Sequence, residues 1–541
     1  MKAPRTHLPP LLLFVSYALF LLWQFSPGLF SSKQTAPGAY FDIYHFIWNV
    51  WFLRERTDTE AAYFTTLLFW PTGTSLYLHT LTEGILWPMA RIVRKASPWW
   101  VYTASCALCL LLNWCSFCLL YSRICASGVC AALLATVLAL HPFWYAHLDG
   151  GHLNMLVFFP IPLCLYCLLR AHVPGEHSTK SHRYGWLLAG GLCLAFLPFT
   201  NLYYFYFLLL LLGIVLGFGV ATRNAQLLTA IIVTVCTGLV ASGWRLYQTA
   251  LAAFSGVFAP NHDPASNSLN LAQLVVPGTY QRIANLLATF PSYAQSPNSS
   301  ETGGYIGIAL ISLLIYILLQ SRHAPARWAV TTAGIFTMLS IGPEIRVGDL
   351  ASISNPLFHS LSWLPLFPSV PARFVSIAVF AACCALAIFS RDHLRLVVFI
   401  SLLCALDWLP TPIFWRQGFE SPLLQRVRTT AISAIHDATP SLELRMLHQT
   451  IHQKPITAGF IARVPRSELK RVRRNPLIAY LEERSNDYLT DRGRADMKAL
   501  QVDAILVPRH APGTIQRASS VGALREYDHD DHFVLFGLAT E

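Results

Sequence analysis

About eleven apolar blocks, each close to the roughly 20 residues that cross a bilayer core, constrain this 541-residue chain more than any motif in it. They fall at 8–30, 99–121, 124–140, 153–170, 185–200, 202–220, 225–243, 304–320, 327–341, 373–389 and 394–410. Only 12% of the residues are charged, against roughly 25% in soluble proteins, and the deficit lies in these blocks. A helix satisfies its own backbone hydrogen bonds, so such blocks are read as membrane-spanning helices. The fold class expected is an α-helical polytopic membrane protein. The first block is longer than a signal-peptide core, and no small-x-small cleavage site follows it, so it reads as an uncleaved span.

The net charge of +11 would point to nucleic acid if it were clustered. Much of it instead occupies alternate short loops, at Arg123; Arg170, Lys180 and Arg183; Arg223; Arg322 and Arg327; Arg391 and Arg395. The loops near His141–His152 and Thr200–Asn201 carry no Lys or Arg. This is the positive-inside pattern. It places the N-terminus in the cytoplasm and the C-terminus outside, fits a bacterial inner (cytoplasmic) membrane, and implies no nucleic-acid partner. All 13 cysteines lie in apolar blocks. The CxxC pairs among them have no hydrophilic ligands beside them and read as small packing residues.

Three outer segments are long, at about 31–98, 244–303 and 342–372, and a short one lies at about 141–152. In the first, residues 43–56 read as an interfacial helix and Pro71 and Gly73 mark a turn. The second is a loop with one short helix and contains the sequon Asn298-Ser-Ser. From about Thr411 charge becomes dense and no block could span. Residues 502–508 and 532–537 read as buried strands, and 441–452 and 467–483 as helices. The expected organisation is a transmembrane domain over 1–410 and a small extracytoplasmic α/β domain over 411–541.

Chemistry concentrates in the outer segments. Asp42 and His45 stand in Gly38-Ala-Tyr-Phe-Asp-Ile-Tyr-His-Phe-Ile-Trp-Asn, where the first span surfaces. A carboxylate held among rings there is partly desolvated, which tunes its pKa, although Asp also suits a helix N-cap. The segment His141-Pro-Phe-Trp-Tyr-Ala-His147-Leu-Asp149-Gly-Gly-His152 gathers three histidines and an aspartate. These are donor types a divalent cation uses, without the spacing of a known metal motif. Arg245 and Arg373 can bind phosphate bidentately or simply snorkel at helix ends. Glu83 is a second acid or a solvated loop residue, and Asp528-His-Asp-Asp reads as a solvated turn. No GxSxG, Walker A, Rossmann turn or HExxH occurs.

The span, the Asp at its outer end, the interfacial helix and the Trp70-Pro71-x-Gly73 turn together resemble the first outer loop of the GT-C superfamily. These are multi-span glycosyltransferases that use polyprenyl-phosphate-linked sugars. The chain is most similar to uncharacterised bacterial, YfhO-like members. His141-Pro-x-x-x-Ala-His147, Pro371-Ala-Arg-Phe, and the stretch from Leu447 through Gly459-Phe-Ile-Ala-Arg463 carry that likeness.

The resemblance implies that Asp42 is the catalytic base or a metal ligand, and that Asp149 stands for the second-loop acidic motif. With His152 these would be the ligands of a divalent metal such as Mg or Mn. The chain has a single Asp where many members have Asp-Asp or Asp-Glu, and one acid with histidines in place of Asp-x-Asp. The single Asp also occurs in metal-independent members. His45, Glu83, His147, Asp149, His152, Arg245 and Arg373 are the expected substrate-binding residues.

On this reading Asp42 orients or deprotonates the acceptor, and Arg373 holds the departing phosphate. Direct attack inverts the anomeric centre, and the C-terminal domain positions a glycan, lipid or protein acceptor in envelope glycosylation. Two other readings are a non-catalytic scaffold with a GT-C body and a lipid or sugar transporter. The transporter is disfavoured because charges avoid the span centres and no internal repeat is visible.

Overall fold

The computed structural model describes residues 8–55, 63–172, 180–258, 262–287, 301, 303–347, 352–364, 367–485 and 488–539. The sequon at Asn298 lies outside them. Each apolar block is helical, and six helices are long and apolar enough to cross a membrane. They are Pro9–Leu29, Pro98–Ile124, Gly128–Asp149, Leu153–His172, Leu202–Ala221 and Pro371–Asp407. The bent pair Ala225–Ala241 and Gly243–Phe254, at 69°, makes up to seven. This is fewer than the blocks counted in the sequence, because Lys180–Phe196, Ile308–Gln320 and Ala324–Ser340 have only 17, 13 and 17 residues, and the last two blocks run together as Val375–Asp407.

That last element is not one straight rod. Its 33 residues would extend about 50 Å as a straight helix. Arg373, just before it, binds Glu301, while Asp407 at its end accepts from Tyr305, four residues along from Glu301. Its ends therefore lie close together, and the chain doubles back where His393 leaves helical geometry (φ −128°).

Helix starts follow local chemistry. Ser97, Ser127, Asn201 and Asn224 each accept from a first-turn backbone N–H, which satisfies a donor the helix leaves orphaned. Leu11, Leu19, Trp23, Val240 and Leu319 are exposed on the spans, as lipid-facing residues must be. Loops assigned to one side meet one another. Arg391 Nε donates to Ile124 O at 3.0 Å, Ala126 N donates to Ser390 Oγ at 3.1 Å, and His323 contacts Asp392.

At the opposite end the first outer segment forms the helix Asp42–Glu55. A helix is expected over 43–56, and in the structure Ile43 through Leu53 are all buried. The helix Leu442–His452 packs across it, with Trp48 Nε1 donating to Gln449 Oε1 at 2.7 Å. Strand Thr35–Pro37 also pairs antiparallel with Trp415–Gln417. Met446, Leu447, Ile456 and Ile461 join the main hydrophobic core in consequence.

The C-terminal residues form a four-stranded sheet in the order Ile435–Asp437, Ala504–Pro508, Phe533–Leu538, Leu524–His529. The first pair is parallel and the others antiparallel. Both expected strands are present, and Ala504–Pro508 is buried throughout. The expected helix over 467–483 is split into Arg466–Arg474 and Pro476–Leu481, because Pro476 disfavours helical geometry at Asn475. The Asp528–Asp531 run is a hairpin turn rather than a merely solvated one. Asp530 accepts from Ser421 Oγ at 2.6 Å and Leu423 N at 3.0 Å, and Asp528 pairs with Arg426 at 2.8 Å.

Two buried histidines, His436 in the first strand and His452 at the end of the Leu442–His452 helix, make this region sensitive to acid. Burial, reinforced by Arg445, lowers the His436 pKa to about 4, and burial lowers that of His452 to about 3 despite the pull of Asp437. Both values lie below the roughly 6.5 of an unfolded histidine. Their contribution is therefore complete above pH 6.5 and is lost as pH falls toward 4. At pH 5 each should cost on the order of 2 kcal/mol. Hydrogen exchange of the Ala504–Pro508 amides at pH 7 and pH 5, corrected for intrinsic rates, should show that loss. Unchanged protection would refute the assignment.

Candidate active site

The backbone brings the first two outer loops into contact before any side chain does. Ala39 N donates to Asp149 O at 2.7 Å. Gly151 (φ +80°) lies so close to the start of the Asp42–Glu55 helix that a Cβ there would stand 2.6 Å from Ile43 N. Only glycine fits that approach and that dihedral angle. Arg416, beside the Trp415–Gln417 strand pairing, closes the loop from the other side. Its guanidinium lies over Phe41 at 4.9 Å and hydrogen-bonds Ala39 O.

This contact builds a line of five side chains. Asp42 Oδ2 meets His152 Nε2 at 2.7 Å, and His152 Nδ1 meets His147 Nδ1 at 2.9 Å. His147 Nε2 lies 3.8 Å from Glu301 Oε2. Arg373 donates to Glu301 Oε1 through both Nε (3.0 Å) and Nη2 (2.9 Å). The Arg373 guanidinium also covers the Tyr203 ring at 4.9 Å. Asp42 is the open end, with 31% of its side chain exposed, whereas Glu301 and His147 are each 1% exposed.

Burial acts to raise the Asp42 pKa. The hydrogen bond and charge of His152, with help from His45 and Arg373, outweigh it and bring the value down to about 2. The group is therefore ionised throughout the physiological range. His45 lies one helical turn on, against Phe460 (5.1 Å) and His79 (5.5 Å). Both its ring nitrogens lack a hydrogen-bond partner, and burial lowers its pKa to about 4. It is a neutral ring packed beside the acid.

The other expected residues are placed differently. The Asp149 carboxylate turns toward Tyr280 Oη at 3.5 Å, so the residue meets the site through its backbone carbonyl. Glu83 and Arg245 form a site of their own: Arg245 Nε stands 3.3 Å from Glu83 Oε1, Tyr63 Oη donates to the same oxygen at 2.8 Å, and Arg245 lies over Tyr63 and Tyr77. Burial pushes the Glu83 carboxyl up against the pull of Arg245. This pair clamps the bent helix at Gly243–Phe254 onto the first loop.

Glu301 is the residue sequence reading missed. It sits in a polar Ser-Ser-Glu-Thr-Gly-Gly tract, and its one visible signal is a lone acid directly before an apolar block. A cavity of about 650 Å³ lined by Arg282, Ile283, Ala309, Leu403, Leu406 and Asp407 shares no residue with the line.

The three ligand atoms offered by His147, His152 and Glu301 lie within 4.8 Å of one another. Among the described residues, His147 Nε2 and Glu301 Oε2 are buried without a hydrogen-bond partner, an arrangement costly for polar atoms unless something else satisfies them. The residues present therefore fit a metal ion. Two imidazoles and a carboxylate suit a first-row divalent metal such as Mn or Zn better than Mg, which prefers all-oxygen ligands.

Glu301→Gln should separate the structural from the chemical role of this acid. It removes the partner of a buried guanidinium, and breaking such a pair costs about 3–5 kcal/mol. Thermal unfolding in detergent should show a marked drop for Glu301→Gln and a smaller one for the double variant Glu301→Gln/Arg373→Met. Equal stability of Glu301→Gln and the wild type would rule the pair out as a structural element.

No protein-family model and no curated relative matches this sequence. Solved structures do match its fold. ArnT from Cupriavidus metallidurans, bound to undecaprenyl phosphate, aligns over 97% of both chains with a TM-score of 0.51 and 13% identity. The Archaeoglobus fulgidus oligosaccharyltransferase, in complex with Zn and sulfate, aligns over 94% of this chain and 70% of its own, with a TM-score of 0.51 and 12% identity. Arabinofuranosyltransferase AftD from Mycobacteria aligns over 98% of this chain, with a TM-score of 0.60 and 11% identity. This chain covers only 40% of AftD. The helical body thus has the fold of the GT-C glycosyltransferases.

Proposed function

We propose that this protein is an inverting membrane glycosyltransferase that moves a sugar from a polyprenyl-phosphate donor to an acceptor on the extracytoplasmic face. The observation that carries the reading is the accessible Asp42, backed by a buried His–His–Glu–Arg line, at the start of the helix that follows the first apolar span. The likeness to a polyprenyl-phosphate-bound structure supports the donor class.

A carboxylate with a pKa of about 2 is a weak proton sink, so Asp42 acts chiefly by orienting the acceptor hydroxyl. Both His152 ring nitrogens are engaged, with Asp42 and with His147, so the acceptor proton leaves to solvent at the exposed edge of Asp42. Attack from the Asp42 side, opposite the departing phosphate, inverts the anomeric centre. A divalent metal held by His147, His152 and Glu301 would supply charge stabilisation to the leaving phosphate. Asp149 lies outside that ligand set. Residues 411–541 form the extracytoplasmic part that meets the acceptor, and the basic loops face the cytoplasm of a bacterial inner membrane, with about eleven spans between.

The test is sugar transfer from a panel of polyprenyl-phosphate sugars by the purified protein and Asp42→Asn, with and without EDTA. Transfer should fall at least 100-fold in Asp42→Asn, the scale of a lost orienting carboxylate. A scaffold would tolerate the substitution, so equal transfer in both proteins would remove Asp42 from the mechanism. Chelation should abolish transfer and re-addition of Mn or Zn restore it. Full activity after exhaustive chelation would exclude the metal.

A further inference from the structure

His141 opens the histidine-rich segment that stood out in the sequence, yet the line from Asp42 to Arg373 takes only His147 and His152 from it. In the structure His141 caps the helix Pro142–Asp149, and its Nδ1 accepts from Phe143 N at 3.2 Å. Pro142 has no N–H to offer, so Phe143 supplies the first free donor. An Nδ1 that accepts leaves the ring hydrogen on Nε2. That nitrogen therefore donates, and it meets Tyr305 O at 2.8 Å. The ring is buried and stands edge-on to Trp408 at 4.6 Å, which holds both bonds in place.

Tyr305 lies four residues beyond Glu301, and it is pinned at both ends. Its hydroxyl donates to Asp407 Oδ2 at 2.7 Å, and just after it Ile306 N and Gly307 N donate to Leu274 O at 2.9 and 3.0 Å. Between Glu301 and Tyr305, Gly303 lies against the helix Pro142–Asp149. A Cβ there would stand 2.8 Å from Ala146 Cβ and 2.9 Å from Phe143 Cα. The second of these atoms is backbone and cannot swing aside. His147 follows Ala146 on the same helix. The closeness of Gly303 and the reach of His141 to Tyr305 thus fix how far the Glu301 backbone stands from His147, and the two side chains end 3.8 Å apart. Arg373 orients the carboxylate by donating twice to Oε1. It does not seat the backbone.

We infer that His141 and Gly303 are positioning residues of the His147–His152–Glu301 cation site, seating Glu301 against the helix that carries His147 and so setting the affinity for a divalent metal. The inference rests on the metal reading above and adds the residues that build the site without touching the ion. Four members of His141-Pro-Phe-Trp-Tyr-Ala-His147 then serve one end. His141 grips the Glu301 segment, Pro142 starts the helix, Ala146 leaves room for Gly303, and His147 is the ligand.

The experiment measures binding of Mn and of Zn to the full-length protein in nanodiscs, taking as the site the one that His152→Ala removes. Losing a group that holds a ligand in place costs about 10–100-fold in metal affinity. His141→Ala and Gly303→Ala should each weaken the site by that factor. Two further variants separate the two bonds of the imidazole. His141→Asn keeps an acceptor near Nδ1 and so the helix cap, whereas His141→Gln keeps a donor that reaches Tyr305 O. Metal affinity should recover in His141→Gln and not in His141→Asn, while the unfolding temperature should recover in His141→Asn. Recovery of both in His141→Asn would make His141 a helix cap alone and end its positioning role. Wild-type affinity in His141→Ala and Gly303→Ala would overturn the inference and leave the metal reading standing. A wild type without any site that His152→Ala removes would overturn the metal reading, and this inference with it.

Discussion

The backbone contact between Gly151 and the start of the Asp42–Glu55 helix is the constraint on which the site depends. Two loops more than a hundred residues apart are pressed together until Asp149 O accepts from Ala39 N at 2.7 Å. No side chain at position 151 would permit it. Once made, the contact leaves Asp42 and His152 only one position each, in hydrogen-bond range of one another. Everything further along the line, from His147 to Glu301 to Arg373, takes its register from that placement.

A line of this kind is an unusual load for a membrane protein, because each member is expensive to bury alone. The arrangement divides the cost. Arg373 and Glu301 neutralise each other, His152 and Asp42 share a hydrogen bond, and His45 stays neutral beside them. Within the line itself, His147 Nε2 and Glu301 Oε2 are left without a hydrogen-bond partner among the described residues and face one another at 3.8 Å. On the proposed reading this leaves a place for a cation inside and for an acceptor at the exposed edge of Asp42.

The C-terminal residues are not an appended module. Their helix Leu442–His452 buries the first outer helix, and their strand Trp415–Gln417 holds the loop that leads into Asp42. Folding of the sheet and assembly of the site are therefore coupled through packed contacts rather than through a flexible linker.

The sequence by itself determined the class of the chain: apolar blocks of spanning length, alternating basic loops, and a C-terminal segment too charged to cross. Asp42, His147, His152 and Arg373 were also legible, because acids, histidines and arginines at span ends are conspicuous against an apolar background. Only the tertiary structure decided which of them meet. Asp149 looked like the second acid, yet backbone geometry turns its carboxylate toward Tyr280, and Glu83 and Arg245 pair with each other elsewhere. Glu301 was hidden in a polar loop because its role comes from Arg373, 72 residues away. Periodicity and composition report what each segment must bury. Which buried groups neutralise one another is a property of distance, and distance exists only once the chain has folded.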